Sequence, residues 1–283
     1  MGNGTDSQRW LVTGCSSGLG REIALAALRH GRTVVATARS VETLADLAAQ
    51  YGDRVLALPL DVTDEAQIAA VVRQADERFG GVDVLVNNAG YGYRAAIEEG
   101  ESPDVATLFA TNFFGPVALI KAVLPGLRSR RNGAIVNISS ISARRMPAGS
   151  GYYSASKAAL ESVSGALRKE LAPLGITVMV VEPGAFRTDF AGRSLVGSAV
   201  SIADYEPTIG PRRKQNDATD GTQPGDPVKA AEALITALES DEPPYLLLLG
   251  PDAFASITGE LETLRAEIDG WRALSLSTDF SSD

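Results

Sequence analysis

A chain of 283 residues, 45% apolar and 22% charged, has the makeup of a soluble globule with a large core, and α/β folds of this length form single units. Twenty-six Lys and Arg against thirty-five Asp and Glu leave a formal charge of −9. That balance argues against nucleic acid or an anionic membrane as the main partner, because both need clustered positive charge. Cys15 is the only cysteine, so neither an intrachain disulfide nor a cysteine-based metal site is expected. His30 is the only histidine and stands just before Gly31, where its ring complements a helix C-terminus. Acid–base chemistry therefore falls to other groups. Met1 to Gln8 is polar, and no stretch approaches about 18 uninterrupted apolar residues, so a cytoplasmic protein without a membrane segment is expected.

Strand-length apolar runs alternate with helix-length amphipathic stretches along the chain. Strands are predicted at 10–13, 33–37, 55–58, 82–86, 134–138, 177–181 and 245–249. Helices are predicted at 18–29, 41–50, 65–79, 105–127, 153–171, 227–238 and 255–271. Short, nearly all-apolar strands separated by helices indicate a doubly wound α/β Rossmann fold of about seven parallel strands with helices on both faces. One domain spanning 1–283 is expected. The stretch 189–225 carries no clean strand and is rich in Gly, Pro and charge towards its end. Following the sixth strand, at the carboxyl edge of the sheet, it reads as a mobile substrate lid, with a flexible surface insertion as the alternative. The tails 1–8 and 275–283 are expected to fray.

Thr13-Gly14-Cys-Ser16-Ser17-Gly18-Leu19-Gly20 joins the first strand to the first helix. Its glycines serve a tight turn, close approach of backbone to a pyrophosphate, and close helix–strand packing, while the helix N-terminus offers N–H groups to phosphate. After the second strand, Ala36-Thr-Ala-Arg39 has no carboxylate for an adenosine 2′-hydroxyl. The Arg39 guanidinium is suited to a 2′-phosphate, with Ser16 and Ser17 adding hydroxyls, so NADP(H) is the expected cofactor. The competing reading of Arg39 is a solvated charge at a strand end.

Tyr153 and Lys157 stand four apart in a predicted helix, which puts phenol and ammonium on one face. A cation beside a phenol favours the phenolate and predicts a tyrosine pKa below its usual value. Tyr91, Tyr93, Met146, Tyr152, Phe190 and Leu195 flank the strand ends or the lid, as pocket walls or core. Arg144 and Arg145 read as solvent-facing charge more readily than as contacts to an anionic substrate.

The glycine turn, Asp61, Asn87-Asn88-Ala89-Gly90, Asn112, Ile138-Ser-Ser140, Tyr153/Lys157 and Pro183-Gly184 with Thr188, in that order, resemble the short-chain dehydrogenase/reductase family over about 9–249. The resemblance implies Tyr153 as general acid or base and Lys157 on the nicotinamide ribose, lowering the Tyr153 pKa. Ser140 would bind the substrate oxygen, with Ser139 the competing choice and Ser142 a weaker one. Asn112 would hold a water in a proton relay. The same resemblance places Asp61 and Val62 at the adenine, and Asn88, Ala89 and Gly90 at the adenosine ribose. Pro183, Gly184, Phe186 and Thr188 would lie at the nicotinamide, Phe186 standing where the family often has an aliphatic residue.

The function expected is hydride transfer between NADP(H) and a ketone or secondary alcohol, with an apolar substrate and no metal. Alternatives are an NADP-binding regulator without turnover, or a dehydratase or epimerase on the same fold. Homodimers or homotetramers built on the two helices around 105–127 and 153–171 are the expected assemblies.

Overall fold

The computed structural model describes residues 8–190, 192–219 and 221–280. The chain opens with β1 (Arg9–Val12), α1 (Gly18–Arg29), β2 (Thr33–Ala38), α2 (Ala45–Tyr51), β3 (Val55–Pro59), α3 (Glu65–Phe79) and β4 (Val84–Asn87). A short β5 (Gly92–Arg94) leads to α4 (Ser102–Phe109), a π-helical turn at Ala110–Phe114 and α5 (Gly115–Arg130). Next come β6 (Gly133–Ile138), α6 (Ser142–Arg145), α7 (Gly151–Leu171) and β7 (Ile176–Pro183). The last part holds β8 (Leu195–Gly197), α8 (Glu206–Thr219), α9 (Pro227–Leu238), β9 (Leu246–Leu249), α10 (Pro251–Gly270) and α11 (Arg272–Ser275).

Seven strands form one parallel sheet in the order β3-β2-β1-β4-β6-β7-β9, the doubly wound arrangement the apolar runs predict. Alternate strand residues feed opposite layers. Trp10 and Val12 face α1 and α9 with Ile23, Ala27, Leu234 and Ile235, whereas Leu11 and Val35 face α3 and α5 with Ile68, Leu119 and Val123. Because β1 and β4 are neighbours and their crossovers leave in opposite directions, the carboxyl edge between them is the switch point where ligands of open sheets bind.

The 102–130 stretch is long and apolar enough to cross a bilayer by length and composition. Leu108, Asn112, Leu119, Ile120, Val123 and Leu127 are nevertheless buried in the protein, the pattern of a core helix. Its π turn has a local cause: Pro116 has no N–H to give the Asn112 carbonyl, and the Gly115 N–H bonds Ala110 instead.

Two expectations need correction. The 189–225 stretch is not a strandless loop: β8 pairs in parallel with β5, and α8 covers 206–219 despite Pro211. Side-chain contacts hold it to the body. Arg213 reaches the fully buried Glu99 carboxylate at 2.6 Å, the Tyr205 hydroxyl reaches Glu98 at 2.7 Å, and Ile209 is buried near Gly149. Of the tails, 1–7 and 281–283 lie outside the described residues; Ser275 belongs to α11, while Leu276 to Phe280 beyond it are exposed and form no helix or strand.

Candidate active site

Helix α7 presents Tyr153 and Lys157 one turn apart, both buried. The Ser140 side chain, just past β6, lies close enough to the Tyr153 hydroxyl to favour its ionised form. Ser139 does not compete for that place, because its hydroxyl donates to the Glu161 carboxylate at 2.5 Å. Ser142 gives its backbone N–H to the Ser140 oxygen at 3.1 Å, fixing the serine's rotamer, and its own side chain is buried in α6. The Lys157 ammonium donates to the Ile138 carbonyl at 2.8 Å.

The expected lowering of the tyrosine pKa is not what the protein does by itself. Burial pushes the Tyr153 phenol up to about 12, with the neighbouring Ser140 side chain opposing. Burial also pulls the Lys157 ammonium down to about 8, against the charge of Glu161. Desolvation outweighs the helical pairing, so Tyr153 is held as a proton donor at neutral pH.

Asn112 lies in the π turn with no exposed surface. Its amide donates to the Tyr91 carbonyl and to Ser156, and accepts from the Tyr91 N–H. A Cβ on Gly90 would come to 3.0 Å from the Asn112 oxygen and 3.4 Å from the Lys157 nitrogen, so the three residues meet at one point.

The glycine turn is built as a cradle. Gly14 and Gly18 have φ of +72° and +60°, in the left-handed region that favours glycine. A Cβ on Gly20 would collide with the Asn88 amide nitrogen and fall 2.6 Å from the Gly14 carbonyl. Thr13 ties the turn together: its hydroxyl accepts from the N–H groups of Asn88 and Ala89, and its carbonyl accepts from the Asn88 side chain. Ser17, at the N-cap of α1, makes no side-chain cap, and the first turn, with Leu19, carries no acid. The unprotected N–H groups and the absence of a repelling carboxylate suit a pyrophosphate. Ser16 is half-buried in the same turn, and a side chain on Gly18 would touch Thr188 at 3.2 Å, which brings the 183–188 loop over it.

At the adenosine end, Asp61 accepts from the Thr63 N–H and hydroxyl, and Val62 is buried against Gly115. Arg39 is exposed at the end of β2 and has no ion pair among the described residues, while the nearby Glu42 carboxylate is turned to the Ser40 hydroxyl at 2.6 Å. At the nicotinamide end, the Ala185 N–H donates to Asp252 at 2.7 Å, pinning Pro183 and Gly184. Phe186 packs its ring against Gly225 and the core, which leaves its backbone as the part facing a ligand. These residues fit a nicotinamide dinucleotide laid across the switch point.

Phe190 packs its ring 5.9 Å from that of Tyr153, and Leu195 meets Gly92 beside it. Tyr93 and Tyr152 are instead a packed pair in a small core, 6.3 Å between rings, and Met146 is exposed. Arg193 reaches from the 189–197 segment to the Ser17 hydroxyl and pairs with Asp189 at 2.9 Å.

Arg144 is not a solvent-facing charge. It clasps Glu161 at 2.8 Å and Glu182, which is wholly buried, at 2.6 Å. The clasp joins α6, α7 and the end of β7, all beside the reacting groups. Its partners lie far away in the chain, and the one local signal is a glutamate one turn after Lys157.

Comparison with known proteins agrees with this geometry. A family model described as short chain dehydrogenase matches residues 8–195. Oxidoreductase BOA17 of Botryotinia fuckeliana is 40% identical over 95% of this chain and 98% of its own. The crystal structure of a short-chain dehydrogenase from Streptomyces avermitilis superposes with a TM-score of 0.91 at 45% identity, covering 98% of this chain and 100% of that one. A short-chain dehydrogenase from Burkholderia cenocepacia in complex with NADP is similar at 26% identity and a TM-score of 0.73, covering 93% of this chain and 96% of that one. The 3-ketoacyl-(acyl-carrier-protein) reductase of Brucella melitensis complexed with NADH is similar at 28% and 0.71, covering 86% and 97%. The chain is an oxidoreductase of the short-chain dehydrogenase/reductase family.

Proposed function

We propose that the protein interconverts an apolar ketone and a secondary alcohol with NADP(H), working towards reduction near neutral pH. The observation that carries this reading is the buried Tyr153 with Lys157 one turn behind it on α7 and the Ser140 side chain beside the phenol. The nicotinamide supplies the hydride when bound. Ser140 and Tyr153 together donate to the substrate oxygen, and Tyr153 passes its proton as negative charge develops there. Lys157, anchored on the Ile138 carbonyl, steadies the phenolate that remains and reaches the ribose hydroxyls. Asn112, meeting Lys157 at Gly90, orders the way back for the proton.

Burial keeps the phenol protonated at neutral pH, ready to donate, which supports reading the site in the reductive sense. Support for NADP over NAD is the unpaired Arg39 beside Ala38, where NAD-binding relatives of the fold carry an acid. Exposed Phe190, Ile97 and Met146 around the mouth of the site support an apolar substrate.

The test follows NADPH absorbance against a panel of aliphatic, cyclic and aromatic ketones. Oxidation of NADPH that depends on the ketone supports the reading. Stoichiometric nucleotide binding without turnover would make the protein a regulator. Conversion of a hydroxylated compound without net NADPH loss would make it a dehydratase or epimerase.

A further inference from the structure

Helix α10 begins on the body and then leaves it. Ala253 and Ile257 are buried, whereas every residue from Gly259 to Phe280 is exposed. A helix without packing is marginal in water at this length, and Gly259 and Gly270 weaken it further. Its exposed face is nevertheless apolar: Leu261, Leu264, Ile268 and Trp271 are 50%, 52%, 59% and 62% exposed. Within α10, Phe254, Ile257, Leu261, Leu264 and Ile268 follow one another at spacings of 3, 4, 3, 4, the a and d positions of a heptad repeat, and Trp271 stands at the turn that ends the helix.

The flanking charges say what covers this face. With Leu261 and Ile268 at a, Glu260 and Glu267 fall at g and Arg265 falls at e, while Arg272 lies in α11 past the turn at Trp271. In a parallel pair of helices each g residue meets the e′ residue five positions on, so Glu260 would face Arg265 of the partner subunit. In an antiparallel pair g meets g′ and e meets e′, which sets Glu on Glu and Arg on Arg. Glu260 and Glu267 have no ion pair among the described residues. Arg265 pairs with the exposed Asp269 on its own helix, a contact weak enough to exchange. A lipid surface is a poorer match, because Glu262 and Asp269 add to the two g-position acids and leave the helix acidic.

We propose that residues 258–270 of α10 pair with the same residues of a second copy of this chain as a short, parallel, two-stranded coiled coil. Leu264 at d and Ile268 at a suit two strands, and Ala253 and Ile257 fix the coil to each body at one end. The two-fold axis runs along the coil, so both bodies sit at its N-terminal end. This interface is separate from the faces of α5 and α7 and does not depend on the reaction proposed for the site.

The test is the mass of the full chain in solution by sedimentation equilibrium at micromolar concentration, with activity per chain as the control for folding. Leu264→Asp with Ile268→Asp should halve the mass of the wild-type assembly while activity per chain is kept. Glu260→Lys should weaken association severalfold, and adding Arg265→Glu to the same chain should restore it. Ile268→Cys should give a covalent dimer on mild oxidation, against a wild-type background in which Cys15 is buried. A monomeric wild type, a mass unchanged by the two aspartates, or no crosslink through residue 268 would overturn the proposal.

Discussion

The Glu161 carboxylate accepts a 2.5 Å hydrogen bond from Ser139 while standing one helical turn beyond Lys157. It thereby touches the serine next to Ser140 and lends charge to the lysine behind Tyr153. Burial lowers the Lys157 pKa to about 8, and the Glu161 charge works against that fall. Glu161→Gln removes the opposing charge, so the ammonium is lost at lower pH. The basic limb of the kcat/KM profile should move down by about half a unit to one unit, with KM for NADPH nearly unchanged. A basic limb that stays in place would separate Glu161 from Lys157.

Arg144 faces two buried carboxylates, and one oxygen of Glu182 already lacks a hydrogen-bond partner. Arg144→Met leaves both acids without a cation, which should cost about 3 kcal/mol or more. For a chain of this length that is roughly 6–12 °C in Tm at pH 8. Burial already raises the Glu161 pKa, and the variant raises it further. The folded variant then binds protons that the unfolded chain has lost, so its stability falls as pH rises above about 4.3. The deficit should therefore shrink on going from pH 8 to pH 5, as thermal denaturation at the two values will show.

Much of this was legible in sequence, for identifiable reasons. The seven core strands are covered on both faces, so they read as continuous apolar runs, such as Val34-Val35-Ala36 in β2 and Leu246 to Leu249 in β9. The glycine turn and the Tyr153/Lys157 spacing are local patterns of one turn or one helix. Helix α8 was hidden by Pro211 and by its charge, because Arg213 and Ile209 are held by the distant Glu99 and Gly149. The direction of the Tyr153 pKa was misread because an i, i+4 spacing shows a neighbouring charge but not the depth of burial. The π turn had a readable signal in Pro116, four residues after Asn112.

Gly20 has no room for a side chain, since a Cβ would strike the Gly14 carbonyl and the anchored Asn88 amide. Gly20→Ala should abolish calorimetric NADPH binding and lower stability by about 2 kcal/mol. NADPH binding that survives within threefold would show that the turn is not the pyrophosphate cradle.

Arg39 is exposed just past β2, and the proposed NADP preference assigns it the 2′-phosphate. Arg39→Ala should weaken NADPH at least tenfold and leave NADH within about twofold, as expected from the loss of a charge-assisted contact. Combining Ala38→Asp with Arg39→Ala should reverse the preference. Equal losses for the two nucleotides would refute the role of Arg39.

The most direct measurement is single-turnover NADPH oxidation by Tyr153→Phe with any ketone the wild type reduces. The phenyl ring keeps the packing against Phe190 and removes only the hydroxyl that meets Ser140. Turnover should fall at least a thousandfold, in line with the loss of a general acid, while the Kd for NADPH stays within about threefold. Turnover within tenfold of the wild type would contradict Tyr153 as the proton donor.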